Sequence, residues 1–184
     1  RKWLKWTQGL PTVAVRALAI QRRENDLVIG THGRSAFVID DISPLRQASA
    51  AVLKKPLHVF PVPDAVQYRQ GSLQSYYSPG DTQFKGANRA YGALISYVLN
   101  PAPAQKETGK EEKPVIEILD DKGQVIRTFK GPAEKGINRA AWDLCRKAFA
   151  SLYRWEWEER AKEEEEEEEG ALFVLPGTYT ARIK

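Results

Sequence analysis

His32-Gly33-Arg34 is the stretch of this chain whose residue types come closest to chemistry. Histidine titrates near neutral pH and can give or take a proton. An arginine beside it can hold a carboxylate or a sulfate through paired N–H groups. A structural reading competes: a glycine-bearing turn uses such residues to cap backbone groups or to meet nearby acids. Asp40 and Asp41 form a second candidate. Glycoside hydrolysis needs two carboxyl groups about 5–9.5 Å apart across a sugar bond. Neighbouring residues at a strand end point to opposite faces, so this pair does not flank one bond. Its structural role is to place negative charge at the start of a following helix. Asp40 is kept as a binding candidate that could face a channel. Trp155 and Trp157, with Tyr153, stand beside an acidic run and form a third candidate. Exposed aromatic rings there would stack on a sugar or dock a partner protein.

Other tempting residues read as structural. His58 is isolated among apolar neighbours and is expected to pack in a core. Two histidines without ligand spacing predict no metal site, and nothing in the sequence calls for a cofactor. Cys145 is the single cysteine, so there is no internal disulfide framework. Arg146 beside it would favour a thiolate. No histidine or asparagine partner is evident, and a buried inert thiol is expected. Glu163 to Glu169 is an unbroken glutamate run. Such charges repel and build no core, so a frayed helix end or a loop is expected. The spaced ligands and turn glycine of a calcium loop are absent.

Charge is uneven along the chain. Residues 1–100 hold 13 basic and 6 acidic side chains, and residues 101–184 hold 15 and 18. The basic residues are scattered, so no stripe tracks a nucleic acid. No apolar run is long enough to span a bilayer, so no membrane span is expected.

The elements that must carry these residues are mostly strands. Val13–Ile20, Leu27–Gly30 and Ala36–Ile39 are joined by tight turns and predict an antiparallel meander. With a strand around Trp3–Trp6 it becomes a four-stranded sheet, the size of one propeller blade. Ser43-Pro44 reads as an N-cap and first helical residue, opening a short helix to about Lys54. Leu57–Phe60 is a brief strand. Ala93–Leu99, Val115–Leu119, Gln124–Phe129, Ile137–Leu144 and Thr178–Ile183 are strands spaced as in a β-sandwich. Asp120-Asp121-Lys122-Gly123 is the hairpin turn between two of them. Leu144, Ala148, Leu152 and Trp155 fall at helical spacing, which predicts a helix from about Arg146 to Arg160.

The segment Leu27-Val28-Ile29-Gly30-Thr31-His32-Gly33-Arg34-Ser35-Ala36-Phe37-Val38-Ile39-Asp40-Asp41-Ile42-Ser43-Pro44-Leu45 resembles the closing blade of sortilin-like, BNR-repeat glycosyl hydrolase propellers of bacteria. Gly92-Ala93-Leu94-Ile95-Ser96-Tyr97, Ile118-Leu119-Asp120, Gly136-Ile137-Asn138-Arg139, Trp142-Asp143-Leu144 and Leu175-Pro176-Gly177-Thr178-Tyr179 are similar to the C-terminal domain of those proteins. That domain is like the immunoglobulin-like module of the flagellar hook-cap protein. There are departures. The Asp-box turns of such propellers are missing, and the family's Trp-Asp-Leu-Arg is here Trp142-Asp143-Leu144-Cys145. A sialidase would need an arginine cluster, and Arg34 stands alone.

The expectation is therefore a mainly β chain. Residues 1–63 form the last blade of a β-propeller and its short helix, and 64–91 a connector. Residues 92–184 form an immunoglobulin-like β-sandwich with a mobile loop at 100–114 and a helical acidic insertion at 145–171. The first residue is not Met and Lys184 falls within a strand, as in a piece of a longer protein. Three functions fit: a non-catalytic accessory part that braces a propeller or binds a partner or carbohydrate; part of a glycoside hydrolase whose catalytic carboxylates lie in other blades; or a sortilin-like peptide binder without turnover. The expected partners are the rest of the propeller or other chains that complete the sheets. By resemblance the protein is secreted or periplasmic.

Overall fold

In the computed structural model, residues 5, 9–68, 86–100, 113–147 and 172–184 are described. The chain is mainly β, built from small antiparallel sheets, and among the described residues none of them closes on itself. It divides into two units, Arg1–Val52 and Leu53–Lys184.

The first unit is a meander of β1 (Val15–Gln21), β2 (Asp26–Thr31) and β3 (Ala36–Ile39), in sheet order β1-β2-β3. A residue and its cross-strand partner share a face of the sheet. The register pairs Leu18 with Ile29, Ile20 with Leu27, Ile29 with Phe37, and Leu27 with Ile39. One face is therefore made of large apolar side chains. The other pairs Ala19 with Val28, Val28 with Val38, Ala17 with Gly30, and Gly30 with Ala36. That face is small and apolar too, except at the turn end, where Gln21 pairs with Asp26. Antiparallel sheets with one wet face alternate apolar and polar residues, and this sheet does not. All of β1 is exposed, with Leu18 65% and Val38 on β3 57% accessible. The meander expected from the sequence is present. The fourth strand expected at Trp3–Trp6 falls outside the described residues, apart from Lys5.

Two short helices follow, α1 (Ser43–Gln47) and α2 (Ala50–Leu53), where one was expected. Ser43 was expected to be the N-cap. Instead Ile42 takes that position with no side-chain cap bond, and Ser43 is the first helical residue. The cause lies in Asp41, which adopts φ 39° and accepts a hydrogen bond from the Ser43 N–H at 3.1 Å. The carboxylate does the capping from outside the helix. The break after Gln47 has its own cause. Ala48 is extended, and the Ser49 hydroxyl accepts from the Val52 N–H at 3.2 Å, as an N-cap serine does.

The second unit holds two three-stranded sheets around one core. β4 (Leu57–Val59), β5 (Ala93–Leu99) and β8 (Gly136–Trp142) form one, in order β4-β5-β8. β6 (Val115–Leu119), β7 (Val125–Lys130) and β11 (Thr180–Ile183) form the other, in order β11-β6-β7. Ile95, Tyr97 and Leu99 of β5 and Ala140 and Trp142 of β8 share a core with Ile116 and Ile118 of β6. Ile126, Phe129, Ala181 and Ile183 pack against it from the flanking strands. This arrangement is compatible with a β-sandwich. Leu94, Ser96 and Val98 on the opposite face of β5 are buried as well, so β5 reads as an unbroken apolar run with one serine. The Ser96 hydroxyl accepts from the Arg139 Nε at 3.0 Å.

The β6–β7 hairpin shows its chemistry. Asp120 Oδ1 accepts from the N–H groups of Lys122 (3.0 Å) and Gln124 (2.8 Å), and Gly123 turns the chain at φ 75°. The ladder then shifts register between Ile118 and Leu119, where Ile126 is the extra residue of a β-bulge on β7. Gly92 has φ 99°, and a Cβ there would overlap the Trp142 carbonyl oxygen. Only glycine lets β5 begin this close to the end of β8.

Arg146 was expected to open a helix. It lies instead in β9 (Cys145–Arg146), paired with β10 (Leu172–Phe173) through Arg146–Leu172 and Cys145–Phe173. Two short segments thus close the base of the acidic insertion as a ladder, and the Val174 N–H extends it by donating to the Leu144 carbonyl at 2.9 Å. Residues 148–171 of the insertion, 69–85 of the connector and 101–112 of the expected mobile loop lie outside the described residues.

Candidate functional site

The His32–Arg34 turn is fixed by its flanks. The Thr31 N–H and hydroxyl both donate to the Ser35 carbonyl, at 3.1 and 2.6 Å, and the His32 N–H donates to the Ala14 carbonyl at 2.9 Å. Gly33 and Ser35 have φ of 77° and 58°, which reverses the chain within a few residues. His32 and Arg34 are exposed at the tip. Asp40 sits past the far end of β3 and is half-buried. At about 3.4 Å per residue, roughly 10 Å of strand separates that end from the turn. The three residues are therefore not brought to one point.

Asp41 is almost fully buried, and its bonds are structural. Its N–H donates to Asp26 Oδ1 at 2.9 Å while its carboxylate receives the Ser43 N–H. The Ile42 N–H donates to the Asn25 carbonyl at 2.9 Å, tying the strand end to the β1–β2 turn. His58 is half-buried and meets Phe60 edge-on, with ring centroids 5.0 Å apart at 87°. That matches the packed histidine expected from its apolar neighbours. Trp155, Trp157 and Tyr153 lie outside the described residues. Among the described residues, no three His, Cys, Asp or Glu side chains converge as a metal ion would need, and no helix is long and apolar enough to cross a membrane.

Cys145 is buried. Burial pushes its thiol pKa up, and the charge of Asp143 and a hydrogen bond to that residue add to the rise against a smaller opposing pull from Arg127. A thiol held protonated is a poor nucleophile. The burial agrees with the buried thiol expected from the sequence: Arg146 is exposed on the short ladder, and the sulfur lies 3.6 Å from the Asp143 carbonyl oxygen.

The second unit carries a groove of about 380 Å³. Its deepest lining comes from Ile95, Ile118 and Trp142 of the two three-stranded sheets and from Leu144, just past the end of β8. Its rim is made by the extended segment around Val62–Gln67 and by Leu175–Tyr179. Trp142 and Tyr179 stand at 68° with centroids 5.3 Å apart. Their polar tips are already engaged: the Trp142 Nε1–H donates to the Cys145 carbonyl at 2.8 Å, and the Tyr179 hydroxyl to the Leu175 carbonyl at 2.7 Å. The Gln67 amide donates to the Val174 carbonyl at 2.8 Å and ties one rim segment to the other. Among the described lining residues only Asp64 is charged, and it is exposed at the rim.

Sequence reasoning placed Trp142 in the core and Tyr179 in a strand, and did not foresee the groove. The available signal was a pair of proline-bearing segments, Pro61-Val62-Pro63 and Leu175-Pro176-Gly177, flanking core strands. Proline gives no ladder hydrogen bond, so such segments edge a sheet instead of joining it. No family model matches the chain, and neither a curated protein nor a solved structure is significantly similar to it.

Proposed function

We propose that this chain is a non-catalytic C-terminal portion of a secreted β-propeller protein resembling the BNR-repeat glycosyl hydrolases. The β1–β3 meander belongs to the last blade. The second unit is an immunoglobulin-like sandwich that braces the propeller or holds a partner. One observation carries this reading: apart from the Gln21–Asp26 pair at its turn end, the meander is apolar on both faces, one of large side chains and one of smaller ones, and leaves Leu18 and Val38 in water. Sheets stacked radially in a propeller are covered on both faces by the next blades. A lone two-faced apolar sheet is a surface seeking partners. The motif likeness of Leu27–Leu45 supports the same reading, and the separation of His32 and Arg34 from Asp40 supports the absence of a catalytic constellation in this piece.

Sedimentation of the chain tests it. The wild-type chain is expected to self-associate as concentration rises, through the meander. Leu18→Lys with Val38→Lys is expected to restore the monomer without lowering the melting temperature, since both side chains are exposed. A wild-type chain that stays monomeric at high concentration would overturn the reading.

A further inference from the structure

We draw no further inference here: the strongest candidate, the aromatic surface patch of Tyr68, Tyr91 and Phe173 beside the β9–β10 ladder, carries none because nothing in the structure shows what covers it.

Discussion

Tyr97 offers a perturbation whose sign changes with pH. Its side chain is fully buried at the centre of β5, and its hydroxyl donates to the Pro132 carbonyl at 2.5 Å. Gly131 lies against that hydroxyl so closely that a Cβ would overlap it. Burial raises the phenol pKa to about 12. Tyr97→Phe removes the donor and leaves the Pro132 carbonyl without it. Residue 132 is exposed, so water can replace part of the bond, and the cost at neutral pH is about 1–1.5 kcal/mol. Alkali acts the other way. In the unfolded chain the phenol ionises near its ordinary value of about 10, and in the fold it holds its proton to about 12. Ionisation therefore favours the unfolded state, and the stability that Tyr97 contributes is lost as pH rises from 10 toward 12. At about pH 11 the unfolded phenol is mostly ionised and the folded one is not, and the loss is about 1.4 kcal/mol. Urea denaturation of both chains at pH 7.5 and pH 11 measures this. Tyr97→Phe is the weaker chain at pH 7.5 by about 1–1.5 kcal/mol and equals the wild type at pH 11. A stability gap unchanged between the two pH values would refute the reasoning, because the hydroxyl would then be reaching solvent.

Gly92→Ala is expected to destabilise the second unit by about 3 kcal/mol or more, since both the positive φ and the overlap with the Trp142 carbonyl oppose a Cβ. A melting temperature within a few degrees of wild type would contradict that packing. Cys145 is expected to react with a disulfide reagent at pH 8 far more slowly in the native chain than in denaturant, because burial and Asp143 keep it a thiol. Rapid stoichiometric labelling of the native chain would count against the buried site.

Strands whose signals are local were legible in the sequence. Ala93–Leu99 and Val115–Leu119 occupy the expected residues, because apolar runs bounded by Gly92 and by the Asp120–Gly123 turn leave one way to pair. The meander was legible for the same reason. What misled was competition among neighbouring side chains. Ser43 had the composition of a cap, yet Asp41 reached its N–H first and moved the helix start. Arg146 had helical spacing around it, yet pairing with Leu172 across a long insertion took it into a ladder, and spacing along one segment says nothing of a partner more than twenty residues away. The groove was illegible because its lining brings together Val62–Gln67, Trp142 and Leu175–Tyr179, which are far apart in sequence.

Amide hydrogen exchange across the whole chain tests the proposed last-blade reading of the β1–β3 sheet most directly. On the proposed reading both faces of β1–β3 are completed by neighbours, and in the isolated chain its ladder amides are expected to exchange through local opening, about 100-fold or more faster than those of Ile95, Tyr97 and Ile116. Equal protection of Leu18, Val28 and Ile95 in the isolated chain would mean that the meander is stable without neighbours, and the account would fail.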